Sequence, residues 1–195
     1  MISNVCKIEK GTRDLDAILR ECQKVAAYND LSHKQGLQLR LLCEEIDGML
    51  PNLIDEFDGD LWIEFTGDVC KVKLSITFEE FTKEKKENLI GIAKNKKNAL
   101  AVGIVGKIRS TLENCFLDAD VQQAYAMSTG TPGYIDGVDY SYYWSLKQYK
   151  NSVCKDGQSE AWDELEKSVL AAVADDVIVG VKGTRADITV IKKFA

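Results

Sequence analysis

A two-layer α/β fold, an antiparallel or mixed sheet covered by helices on one face, is predicted by three observations. Two pairs of strands alternate apolar and polar residues, and each pair is joined by a short turn containing glycine. Amphipathic helices precede the first pair and separate it from the second. The one-sided alternation of the strands needs a single apolar cover, which the helices supply.

Val5 to Glu9 reads as a short strand, broken by Gly11-Thr12. Leu15, Ile18, Leu19, Cys22, Val25 and Ala26 recur at helical spacing, so Asp14 to Tyr28 is a helix that Asn29-Asp30 ends. Ser32-His33-Lys34-Gln35 is a capping-box pattern and opens a second helix over 33–54. Leu39, Leu42, Ile46, Met49, Leu50 and Leu53 form its broad apolar stripe, and Pro51 removes one hydrogen bond and predicts a kink near Asp47-Gly48. Leu61, Ile63 and Phe65, then Gly67-Asp68, then Cys70, Val72, Leu74, Ile76 and Phe78 predict a hairpin with one buried face. Residues 79–98 carry many lysines and read as a surface connection, with a short helix near Leu89 to Ala93. Ala99 to Phe116 is a helix with Val102, Val105, Ile108 and Leu112 in register. Residues 117–138 are irregular, Tyr140 to Val153 is an aromatic-rich helix, and Ser159 caps a helix running to about Ala174. Val177, Val179 and Val181, then Gly183-Thr184, then Ile188 and Val190 predict a closing hairpin.

The 195 residues suit one domain, able to bury roughly 70% of the surface its unfolded chain exposes. The formal charge of −6 favours solubility and argues against a nucleic-acid partner, which needs a basic footprint. The apolar runs fall short of the roughly 20 residues that span a bilayer, so no membrane partner is expected. The six cysteines form no CxxC and no cluster with the single histidine; buried, reduced thiols and a cytoplasmic location follow.

Candidate chemistry is sparse. His33 reads as a surface residue of a first helical turn. In Glu44-Glu45-Asp47, Glu44 points away from the apolar stripe, while Glu45 lies roughly 40° beyond Met49 at its edge, where a partly desolvated carboxylate suits a base. Gly103 and Gly106 permit either phosphate approach or close helix packing. Tyr142 and Trp144 belong to an aromatic group that serves either as a partner surface or as a lid over the sheet.

Together these segments resemble the histidine-kinase-like ATPase fold shared by sensor kinases, gyrase-type ATPases and anti-sigma-factor serine kinases. The segment Leu39 to Met49 looks like that family's first nucleotide helix. Glu45 matches its basic glutamate, and Met49 stands where the family places a magnesium-binding asparagine. Ala99-Leu-Ala-Val-Gly-Ile-Val-Gly-Lys-Ile108 resembles the family's glycine box, with Ala99 and Ala101 replacing the phosphate-side glycines and Gly103 retained. The lysine-rich segment takes the place of the ATP lid, and no DxGxG stands where adenine would be read. The resemblance covers about residues 5–116, with 117–176 an insert carrying two helices. The chain is also similar to small bacterial proteins labelled ATP-binding that share this eroded pattern and the segment Trp162 to Ser168.

The resemblance implies a degenerate ATP-binding fold, a regulatory or interaction domain with weak or no nucleotide binding. Glu45, Met49, Ala99, Ala101 and Gly103 are then vestigial nucleotide positions, and any ATP or ADP binds without well-held magnesium. Two alternatives stay open: an anti-sigma-type protein kinase using Glu45 as base, and a small-molecule sensor using the former nucleotide cavity. The expected partner is an unidentified protein, a second copy of the chain included, and Tyr142 and Trp144 are its candidate contacts.

Overall fold

The computed structural model describes residues 1–9, 14–53, 57–77, 104, 106–108, 112, 134–135, 138–139, 142–156 and 168–194. Its centre is a six-stranded antiparallel sheet. The strands are β1 (Cys6–Glu9), β2 (Asp58–Thr66), β3 (Val69–Thr77), β6 (Tyr142–Ser145), β7 (Asp176–Lys182) and β8 (Arg185–Lys193), in the order β1-β2-β3-β8-β7-β6. A separate ribbon pairs β4 (Tyr134–Ile135) with β5 (Val138–Asp139). The helices are α1 (Leu15–Tyr28), α2 (His33–Leu53), α3 (Leu146–Asp156) and α4 (Val169–Val173), and Ile104, Gly106 to Ile108 and Leu112 are also helical.

Both expected hairpins lie in this one sheet, and the same chemistry sets their turns. Gly67 and Gly183 each occupy the first turn position with φ of 61° and 60°, a conformation that costs glycine nothing and matches the twist of the flanking strands. The register then stacks like with like across four strands. Leu61 faces Leu74, Leu74 faces Ile188 and Ile188 faces Val179; the next inward row runs Ile63, Val72, Val190 and Val177. All eight side chains are buried. The opposite face presents Trp62, Lys73, Thr189 and Ile178, each half-buried, and there Glu64 accepts from the Trp62 indole at 2.8 Å and pairs with Lys73 at 3.1 Å. Ile18, Cys22 and Val25 of α1, Leu39, Leu42, Ile46, Met49 and Leu50 of α2, the Ile104-Ile108-Leu112 ridge and Leu170 of α4 join the inward rows in one buried cluster. Alternation with period 2 against helical ridges of period 3.6 is what makes this one core.

The α1–α2 hairpin is closed by capping chemistry that the sequence announces. Asp14 accepts from the Ala17 amide at 2.9 Å and caps α1. At the other end the Asp30 amide donates to the Ala27 carbonyl and the Leu31 amide to the Ala26 carbonyl, with Asp30 at φ 52°. This is a Schellman ending in which aspartate takes the position that glycine usually fills. The expected capping box forms: the Gln35 side chain accepts from the Ser32 amide at 2.8 Å, and the Ser32 hydroxyl accepts from the Gln35 amide at 3.4 Å. Pro51 sits inside α2 and leaves the Asp47 carbonyl without its helical donor.

Three expectations need correction. The helix expected from Tyr140 begins at Leu146, because Tyr142 to Ser145 form β6 along the edge of β7. Tyrosine and tryptophan suit a pleated edge, and the structure spends them there. Asp176, opening β7, accepts from Ser145 Oγ at 3.0 Å and from the Lys147 amide at 2.9 Å, so the strand start caps the helix start. Within 117–138, expected to be irregular, Tyr134–Ile135 is a strand that pairs with Val138–Asp139. The helix expected to run unbroken to Ala174 has a start at Ser168, whose extended backbone and hydroxyl cap α4. Among the described residues, no helix is long and apolar enough to cross a membrane. The lysine-rich segment 79–98 lies outside the described residues.

Candidate functional site

The α2 segment that carries the family resemblance presents two glutamates of the same intermediate burial. Glu44, expected to be solvated, is half-buried and accepts from Arg40 Nε at 2.8 Å, one helical turn away. Glu45 is half-buried, as its place at the edge of the stripe predicts. Met49 retains only 3% of its exposure and packs in the core with Leu39, Leu42, Ile46 and Leu50. Asp47, the third member of the acidic cluster, is the buried carboxylate of this run, a burial the sequence analysis did not assign. Cys43 and Leu50, four residues before it and three after, are both buried, and Asp47 shares their side of the helix.

Magnesium demands near-octahedral oxygen coordination. A thioether buried among aliphatic side chains offers none, and Met49 does not fit the ion that the resembled family holds at this position. Among the described residues, no three His, Cys, Asp or Glu side chains are placed to hold a metal ion. Ala99, Ala101 and Gly103 lie outside the described residues.

A second feature joins α1 to α2. The helices enclose a surface groove of about 340 Å³, walled by Cys22, Ala26, Leu31, His33, Leu37 and Arg40 among others. His33 is exposed at the start of α2, as expected for a first-turn residue. Leu37 is exposed to 51%. The sulfur of Cys22, in the wall, lies 2.9 Å from that of Cys43 behind it, and both residues are buried. The contact with Cys22, and then burial, push the Cys43 thiol well above the ordinary range. Burial pushes the Cys70 thiol up to about 12 and raises that of Cys6. Buried thiols held protonated are slow nucleophiles at neutral pH, so none of these three suits rapid thiolate catalysis. No sequence motif pairs Cys22 with Cys43; each belongs to the inward stripe of its own helix, and only the packing of the two helices brings them together.

The aromatic group is split by the sheet. Trp144 points to the inward side, half-buried against the core, with its ring centre 6.1 Å from that of Tyr149 on α3. Lys107 lies over the other aromatic partner, its Nζ 5.0 Å from the Tyr149 ring centre, which ties the 104–112 helical segment to α3. Tyr143 lies on the opposite face beside Gly180, and burial raises its phenol. Tyr142 pairs with Val181 at the start of β6.

No family model, curated protein or solved structure matches the chain.

Proposed function

We propose that this chain is a regulatory or protein-interaction domain built on an ATPase-like scaffold that binds nucleotide weakly or not at all. The observation that carries the reading is the burial of Met49 where the resembled family needs a magnesium ligand. A cleft residue faces solvent or ligand, whereas Met49 belongs to the hydrophobic cluster under the sheet. Glu45, half-buried one turn earlier, then has no metal-held phosphate to act upon. The sequence adds the missing adenine-reading aspartate, whose absence leaves a donor unpaired at a cost of about 1–3 kcal/mol.

The reading assigns the partner surface to the β6 end of the sheet. Among the described residues β6 is the terminal strand in the sheet order, and a terminal strand presents a row of backbone donors and acceptors to a further strand. Trp144 serves there as the anchor that holds the edge to the core rather than as a free contact. The buried thiols suit a reducing compartment, and the reading puts the chain in the cytoplasm.

Isothermal titration with ATP, with and without magnesium, tests the nucleotide claim. The expected result is weak or undetectable heat that magnesium does not change. Micromolar, magnesium-dependent binding that disappears in Glu45→Ala would overturn the reading and restore the kinase alternative.

A further inference from the structure

The α1–α2 interface holds a pair of thiols in contact, next to a groove open to solvent. Cys22 and Cys43 stand 21 residues apart in sequence on two separate helices, with their sulfurs 2.9 Å apart. A disulfide bond is about 2.05 Å long, so the sulfurs need close by only about 1 Å to bond. Cys22 forms part of the groove wall, and Cys43 is wholly buried behind it. The groove of about 340 Å³ exceeds the roughly 30 Å³ share of one water molecule several times over, and it admits a small oxidant to the wall.

We propose that Cys22 and Cys43 are a disulfide modification site, oxidised by a small neutral peroxide that enters through the α1–α2 groove. The chemistry balances with hydrogen peroxide as the oxidant. The Cys22 sulfur, as thiolate, attacks one peroxide oxygen; the O–O bond breaks, and hydroxide leaves and takes a proton to become water. Cys22 is then a sulfenic acid. The Cys43 sulfur, as thiolate, attacks the Cys22 sulfur, the S–O bond breaks, and hydroxide leaves as a second water. Two thiols and one peroxide give one disulfide and two waters; sulfur is oxidised and peroxide oxygen reduced. The product staples α1 to α2 within the core. This inference is independent of whether the scaffold binds nucleotide.

The test treats the folded chain with hydrogen peroxide, blocks remaining thiols with N-ethylmaleimide, and maps peptides without reductant. Trypsin alone leaves Cys43 and Cys70 on one peptide, 41–71, so a second cleavage at acidic residues is required. The expected product is a Cys22–Cys43 cross-linked peptide, formed in the monomer. It should come with a Tm rise of roughly 6–12 °C that dithiothreitol reverses. Cys22→Ser should lose both the cross-link and the rise. Mapping of the unmutated chain decides the matter even if that variant fails to fold. All six thiols blocked after oxidant, a disulfide between other cysteines, or a cross-link between chains overturns the proposal.

Discussion

Replacing Met49 by asparagine puts the resembled family's magnesium ligand back where it belongs in sequence, and the structure says that this should harm the fold and gain nothing. Met49 is 3% exposed within the aliphatic cluster under the sheet. Truncating a buried methionine to alanine costs about 2–5 kcal/mol. Asparagine refills part of that space, which favours the lower half of the range, but it buries an amide whose unmet hydrogen bonds cost about 1–3 kcal/mol more. The sum is about 3–6 kcal/mol, a large share of the roughly 5–15 kcal/mol that holds a domain folded. Urea unfolding followed by circular dichroism should show the midpoint falling by about 1–2 M. Met49→Leu conserves volume and polarity and should cost less than about 1.5 kcal/mol. Titration of Met49→Asn with magnesium and ATP should show no gain over the parent chain. A Met49→Asn variant within about 1 kcal/mol of the parent that acquires magnesium-dependent ATP binding would refute the reasoning, because it would mean that residue 49 faces a cleft.

Two further outcomes follow from the same packing. A Cβ at Gly59 would lie 2.8 Å from the Ser75 carbonyl oxygen and 2.8 Å from Ile76 Cγ2, so Gly59→Ala must push β2 from β3; a loss of about 1–3 kcal/mol in urea unfolding is expected, and unchanged stability would show that the strands yield. Glu21 is a buried carboxylate that accepts from Lys24 at 2.6 Å and from the Asn4 amide and side chain at 3.1 and 3.2 Å; Lys24 first, opposed by burial and then aided by Asn4, holds its carboxyl below the ordinary range. Its stabilising contribution is therefore complete above the unfolded value of about 4.3 and fades as pH falls through the lower folded value, so the stability gap between the parent and Glu21→Gln should narrow in acid; a gap that widens in acid contradicts this linkage.

The parts of the fold written in local patterns were legible. The Gly67 and Gly183 turns, the Ser32–Gln35 box and the alternation of Leu61 to Ile76 each declare themselves within a short stretch of sequence, and each is present as expected. What misled was competition between two readings of one composition. Tyr142-Tyr143-Trp144 is compatible with a helix face or with an edge strand, and only the unpaired side of β7 decides in favour of the strand. Ser168 accepts from the Ala171 amide and begins α4, while Ser159 lies outside the described residues. At the candidate site, the position of Glu45 at the stripe edge followed from the helical wheel. The burial of Asp47 also lay in the wheel, beneath the more conspicuous glutamates. The Cys22–Cys43 contact did not, because pairing across two helices depends on how far one slides along the other, and no residue pattern within either helix sets that offset.

That contact also sets how the thiol pair behaves. Cys43 holds its proton more tightly than an ordinary thiol, first because Cys22 bonds to it and then because it is buried. Nucleophilic attack needs thiolate, so raising the pKa of the resolving thiol slows the second step of oxidation without altering its product. The sign is fixed: disulfide formation should accelerate as pH rises toward the Cys43 value, and it should be slow at neutral pH. Once closed, the staple removes freedom from an unfolded chain whose loop spans 21 residues, worth about 3 kcal/mol by loop-closure entropy. Slow closure and a substantial stabilisation are thus the expected consequences of one placement, two buried thiols in contact inside a helix interface with Cys22 in the wall of a groove.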